Sequence, residues 1–165
     1  MEQLLKITDI SQLSYMQTMQ LYSRDLQEDA AAHYPSLTGQ EALFASEQAF
    51  YSYLKDVFFQ TPGACMYAWS VDGVLRSCLR IEPYENAFLL CGITTDPDYL
   101  RRGFGEKLLR GVSALYAGPL YSHVEKSNYA SLQLHLKCDF ERRFEWARML
   151  NGEMLHNFCT FVHEK

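Results

Sequence analysis

At 165 residues the chain is the size of one domain, long enough to bury a core without metal or disulfide support. A net charge of -5 lacks the basic excess that nucleic-acid binding needs, and suits a surface that tolerates or attracts cationic molecules. Cys65, Cys78, Cys91, Cys138 and Cys159 are odd in number and far apart, with no C-x-x-C pair; this argues against a metal site and for buried free thiols in a reducing cytoplasm.

The start, Met1-Glu2-Gln3-Leu4-Leu5-Lys6, lacks the basic residues and long apolar run of a signal peptide, and no stretch reaches transmembrane length. A soluble cytoplasmic protein without membrane contact is expected. A strand over 3–8 leads into a helix that opens at Asp9, with Gln12 completing a capping box and Leu13, Met16 and Met19 at helical spacing. His33, Tyr34 and Pro35 break that pattern. The second helix starts at Thr38-Gly39-Gln40-Glu41 and buries a stripe of Phe50, Leu54, Val57 and Phe58 before Thr61-Pro62-Gly63 ends it.

Strands over 64–71 and 74–82 follow, joined by the hairpin dipeptide Asp72-Gly73. A third strand, 87–95, is apolar on both faces and suits the middle of a sheet. A helix over 102–116 turns Phe104, Leu108, Val112 and Leu115 to one side. A strand over 120–125 and a helix over 128–137 come next. Two long strands, 140–150 and 153–162, close on Asn151-Gly152. The order is β-α-α-β-β-β-α-β-α-β-β in one α/β domain without repeats or linkers.

Chemistry concentrates in the turn Leu100-Arg101-Arg102-Gly103-Phe104-Gly105, between the apolar strand and its helix. N–H groups at a helix start have no partner within the helix, and glycines there let a phosphate approach them. The helix dipole and two arginines add positive potential. On the residues alone, R-R-G-x-G reads equally as a phosphate cradle or as an ordinary turn with solvated arginines. It is neither a G-x-G-x-x-G fingerprint, whose third glycine falls on Leu108, nor a Walker loop, which needs Gly-Lys-Ser/Thr.

This element order, with Pro97, Gly103 and Gly105 in the pattern Pro-x-x-[Gln/Arg]-x-x-Gly-x-[Gly/Ala], resembles the GNAT superfamily of acyl-CoA N-acyltransferases. Leu100 stands where Gln or Arg is usual. The stretch Asn128 to Phe140 is similar to the family's Asn-x-x-Ala-x-x-Leu-Tyr-x-x-x-Gly-Phe, with Ser131 for Ala, His135 for Tyr and Asp139 for Gly. The resemblance covers nearly the whole chain, the first sixty residues in pattern only. It implies a GNAT-like mixed, mostly antiparallel, twisted sheet flanked by helices. It further implies acetyl-CoA, or another acyl-CoA, as co-substrate, with no metal. The pyrophosphate would lie on Leu100, Arg101, Arg102, Gly103, Phe104 and Gly105, the pantetheine arm on the backbone of Ile93 and Thr95 beside a splayed neighbouring strand, and Asn128 would face the coenzyme.

Transfer to an amine needs a base for its proton and a donor for the departing thiolate. One family branch carries a Glu where Ala87 stands here. Another has Leu-Glu-Val before its Asn motif, which reads Ser122-His123-Val124 in this chain, so the resemblance makes His123 a base candidate. Glu125 shares its strand face and could orient it, or His123 could be a packed histidine. His135 replaces the tyrosine that protonates the coenzyme thiolate in relatives; packing is its other reading, with Tyr129 as a substitute donor. The acceptor pocket is expected between the N-terminal helices and the last hairpin, both rich in Tyr and Phe. Glu82 and Glu85 are further candidates to line it, with a solvated turn as their other reading.

The expected function is N-acetyl transfer from acetyl-CoA to a primary amine of a small molecule or peptide; the alternative is an acyl-CoA-binding sensor or interaction module with little catalysis. The final strand, with Phe158, Phe161 and Val162, offers an edge for pairing with a second subunit.

Overall fold

The computed structural model describes all residues, Met1–Lys165. β1 (Glu2–Ile7) leads to a single 3-10 turn at Ile10–Gln12, and α1 (Tyr15–Leu21), α2 (Ser23–His33) and α3 (Gly39–Tyr53) follow. The middle is β2 (Cys65–Val71), β3 (Val74–Tyr84) and β4 (Ala87–Thr95). Then come α4 (Phe104–Ser113), β5 (Leu120–Glu125) and α5 (Tyr129–Lys137). The chain closes with β6 (Glu141–Phe144), β7 (Ala147–Arg148), β8 (Met154–Leu155) and β9 (Phe158–His163).

Seven strands form one sheet in the order β1-β2-β3-β4-β5-β9-β6, antiparallel except where β4 and β5 run parallel. The mixed, mostly antiparallel sheet flanked by helices is the expected architecture. Its turns obey local chemistry. Asp72 and Gly73 both take positive φ, 50° and 81°, as a two-residue hairpin with matching twist demands.

Each face of the sheet carries its own core. On one, Leu79, Ile81, Leu90 and Val124 pack under Leu108, Leu109 and Val112 of α4 and Leu132 of α5. On the other, Met66, Ala68 and Cys78 meet Leu21, Leu26, Leu54 and Phe58 from the N-terminal helices. Each large side chain buried this way contributes about 1.5–3 kcal/mol.

Four details depart from the sequence pattern. The Asp9–Gln12 capping box is present but holds only one 3-10 turn; the backbone extends at Leu13, and Ser14 caps α1 anew. Met16 is consequently exposed, and Tyr22 and Leu26 fill the core instead. The end of α3 widens into a π-helical turn over Leu54–Phe58, and the extra residue in that turn rotates Val57 into solvent while Leu54 and Phe58 stay buried. α4 stops at Ser113, leaving Leu115 exposed.

The two long closing strands are each broken. A bulge between Arg142 and Phe144 ends the β6–β9 ladder, Thr160 Oγ1 donates to the Trp146 carbonyl at 2.7 Å, and Asn157 gives its carbonyl to Lys126 N. Only β7 and β8 continue to the Asn151-Gly152 turn. β9 is also no edge: it lies between β5 and β6, so Phe158, Phe161 and Val162 pair within the chain and the edge falls to β6.

Candidate active site

The parallel pairing of β4 and β5 covers three rungs only, Phe88↔Leu120, Leu89↔Tyr121 and Leu90↔Ser122. Beyond Leu90 the strands diverge, and Cys91–Thr95 has no partner strand on the β5 side. A bulge accompanies the split: β3 pairs Cys78 with Thr94 but Arg80 with Cys91, so Gly92 and Ile93 together face Leu79. Gly92 takes a φ of 60° there, which its lack of a side chain permits. The opening exposes the backbone on both sides of Gly92, including Ile93 and Thr95.

At the end of β4 the chain turns through Asp96. This carboxylate is 5 % exposed, caps the turn by accepting from Asp98 N at 3.1 Å, and pairs with Arg76 at 3.4 Å. Gln20 of α1 donates to both Asp96 and Asp98. The arginine fork of Arg76 lies 3.6 Å from the Tyr99 ring centroid, with Arg102 at 4.8 Å from the same ring. The turn is therefore held from several sides before α4 begins.

The start of α4 is open. Arg101 and Gly103 take left-handed φ values of 60° and 82°, and Gly103 caps the helix without a side-chain bond. None of the backbone N–H groups from Arg101 to Glu106 meets an acceptor in the protein; the first helical bond is Lys107 N to Gly103 O. A Cβ at Gly103 would meet nothing within 4 Å, so the space before these donors is clear. At Gly105 a Cβ would sit 3.4 Å from Thr95 Oγ1, so glycine lets the first turn of α4 pack against the end of β4. Leu100, Arg101 and Arg102 are exposed around this cradle, and Phe104 is half-buried beside Tyr99. A run of free N–H groups at a helix start is a site for an anion such as a pyrophosphate.

Asn128 caps α5, accepting from Ser131 N at 3.2 Å through its side-chain oxygen, and is exposed just beyond β5. Its side-chain amide keeps both N–H groups free.

The histidines have separate surroundings. His123 is half-buried on β5, edge-on to the Tyr84 ring at 5.4 Å, and its Nε2 is buried without a partner. Burial holds this imidazole below the ordinary histidine range, so it is neutral near pH 7 and has a lone pair to offer. Glu125 is exposed at the end of the strand and makes no hydrogen bond to it.

His135 is 1 % exposed between Phe140 and Phe161. Its Nδ1 lies 2.7 Å from the Ser131 carbonyl, which only accepts, so Nδ1 carries the proton. Nε2 then accepts from the Ser122 hydroxyl at 2.8 Å. Both nitrogens are engaged inside the protein, and burial lowers this imidazole too. Tyr129, at the first turn of α5, is exposed.

Cys91 projects from β4 toward the N-terminal helices, and burial pushes its thiol up to about 11. It is a thiol rather than a thiolate at neutral pH, which argues against a covalent acyl-cysteine. No group of three His, Cys, Asp or Glu is arranged to hold a metal ion, and no helix is long and apolar enough to cross a membrane.

The sequence pattern did not single out Arg80. It sits on β3 between buried Leu79 and Ile81, facing the N-terminal helices beside Gly92. A charged residue placed within a buried central strand was the available signal.

Comparison with known proteins gives the family and the fold. The model of the acetyltransferase (GNAT) family matches residues 19–140. Among curated proteins none matches the sequence. Several solved structures align over the whole chain or nearly all of it. The PaiA N-acetyltransferase of Thermoplasma acidophilum, in complex with coenzyme A, is 13 % identical with a TM-score of 0.66, covering 100 % of this chain and 99 % of its own. A putative acetyltransferase from Acinetobacter baylyi ADP1 is 12 % identical with a TM-score of 0.67, covering 100 % and 93 %. The ribosomal-protein-S18-alanine N-acetyltransferase of Escherichia coli is 17 % identical with a TM-score of 0.54, covering 98 % and 92 %. At these identities the structures share the fold, and the family match is what carries the assignment. With that match spanning β4, the open helix start and α5, the chain belongs to the GNAT family of acetyltransferases and is an N-acyltransferase.

Proposed function

We propose that this protein transfers the acetyl group of acetyl-CoA to a primary amine by direct attack. The carrying observation is the run of unpartnered N–H groups from Arg101 to Glu106 at the mouth of the β4/β5 split. These donors, with Arg101 and Arg102 beside them, fit a pyrophosphate, and the unpaired β4 backbone at Ile93 and Thr95 fits an amide-bearing arm such as pantetheine. The Asn128 amide supplies further donors from α5.

When bound, acetyl-CoA supplies the acetyl group as a thioester; the C–N bond to the amine forms as the C–S bond breaks. His123 takes the proton from the attacking amine, its neutral imidazole being the base on the helix-facing side of β5. Glu125 lies on the same face two residues on and can lead that proton out through water. His135 acts through Ser122 as a brace for β5, since neither of its nitrogens is free. The thiolate takes its proton from solvent, being a tolerable leaving group. The protein works in a reducing cytoplasm, in keeping with five free cysteines.

A rise in melting temperature with acetyl-CoA tests the binding. Release of free thiol with a broad panel of amines tests the reaction. Coenzyme binding without turnover across the panel would defeat the catalytic reading.

A further inference from the structure

We propose that the acceptor is a small amine that also carries an oxyanion, a carboxylate or a phosphoryl group, and that Arg80 binds that oxyanion. The inference rests on the acetyl-transfer reading above. It begins with a cavity of about 350 Å³ between α2, α3 and the sheet, lined by Tyr22, Asp25, Phe50, Tyr53, Arg80 and Gly92. That volume lies near the lower end for small-molecule sites, which run from about 300 to 1,000 Å³.

Arg80 is the cation of this cavity. Its guanidinium lies 5.5 Å from the Tyr22 ring centroid, 5.6 Å from Phe50 and 5.9 Å from Phe58. The Nε is buried without an acceptor, and no carboxylate pairs with the fork. An aromatic cage orients a guanidinium but leaves its N–H donors unsatisfied. A planar carboxylate or phosphoryl group matches such a fork with two parallel hydrogen bonds. The fork is also confined from below: a Cβ on Gly92 would lie 2.8 Å from Arg80 Nη2.

The sheet register supplies the direction. Arg80 pairs with Cys91 across β3 and β4, and His123 follows the last β4–β5 rung, Leu90↔Ser122, with its ring against Tyr84 of β3. Arg80, Cys91 and His123 thus share the sheet face that carries the N-terminal helices, with the split between the second and third. An acceptor anchored at Arg80 extends its amine over Cys91 toward the split and the His123 imidazole. Asp29 is engaged by His33 at 3.0 Å and Ser46 at 3.4 Å, whereas Asp25 remains at the rim to attract the ammonium end on entry. A polyamine would instead set a second ammonium against Arg80.

The test compares acceptors matched in size. With acetyl-CoA saturating, β-alanine and phosphoethanolamine should exceed β-alaninamide and spermidine by about tenfold or more in kcat/KM, the value of one charge-assisted hydrogen bond. Whichever of the two oxyanion amines is faster identifies the group as carboxylate or phosphoryl. Arg80→Gln should cut kcat/KM for the better one about tenfold, chiefly through KM, and erase its advantage over β-alaninamide, while the acetyl-CoA thermal shift stays unchanged. Should Arg80→Gln not fold, Arg80→Lys keeps the charge, loses the fork and should give a smaller loss of the same kind. Preference for β-alaninamide or spermidine, or no turnover with either oxyanion amine while acetyl-CoA still raises the melting temperature, overturns the inference alone. Absence of any acetyl-CoA shift overturns the acetyl-transfer reading and this inference with it.

Discussion

Arg80 on β3 and His123 on β5 lie on the same face of the sheet on either side of β4, Arg80 paired with Cys91 and His123 just past the last β4–β5 rung. Both carry a buried ring or guanidinium nitrogen with no partner inside the protein. An unsatisfied buried polar atom costs about 1–3 kcal/mol, so two of them on either side of β4 fit a face arranged for a ligand rather than for stability.

His123 should control turnover. His123→Gln is expected to lower kcat by about a hundredfold or more while leaving acetyl-CoA affinity unchanged, as loss of a general base does. In the parent enzyme the acid limb of kcat/KM should fall below pH 6.5, because burial lowers the imidazole from that value. Steady-state kinetics across pH decide this: an acid limb retained in His123→Gln would remove the residue from the mechanism.

The open helix start makes a separate demand at Gly103. Its φ of 82° costs an ordinary L-residue about 1–2 kcal/mol, more for a β-branched one. Gly103→Val should therefore lower urea stability by that order and also fill the space that the N–H donors face. Acetyl-CoA should then give no thermal shift, even at temperatures where the variant is folded.

The turn before it depends on Asp96. Asp96→Ala leaves Arg76 without its ion-pair partner and removes the acceptor for Asp98 N and Gln20. A loss of about 3 kcal/mol is expected from breaking so enclosed a pair. Chemical denaturation measures it, and Asp96→Asn should restore part by keeping one acceptor oxygen.

Stability should also fall on mild acidification. Burial lowers both His123 and His135 below 6.5, whereas in the unfolded chain each protonates near that value. Between the folded and unfolded values the unfolded state holds more protons, so stability rises with pH. The contribution is complete above about pH 6.5 and is lost as pH falls through the folded values. Melting temperatures between about pH 7.5 and 5 should show this slope, and His135→Leu should flatten it, although the orphaned Ser122 hydroxyl lowers stability throughout.

Much of this was legible in the chain itself. The capping boxes at Asp9 and Thr38, the turns at Asp72-Gly73 and Asn151-Gly152, the bounds of β4 and β5 and the glycines that open α4 all follow from local rules of backbone geometry. Local rules also suffice for the open start of α4, because its free N–H donors belong to one continuous turn.

Where several elements must meet, the sequence was silent. It could not show that a π-helical turn rotates Val57 outward, that β9 slips between β5 and β6, or that His135 spends both nitrogens on Ser122 and Ser131. Arg80 is the clearest case: in the string Leu79-Arg80-Ile81 it is one charge among apolar residues. Its meaning depends on Tyr22 and Phe50 from two helices and on Gly92 from the next strand. The sequence by itself determined the open helix start at Gly103, since neighbours along the chain build it. Only the tertiary structure decided the surroundings of Arg80, since groups distant in sequence fix whether a cation's hydrogen bonds are already made.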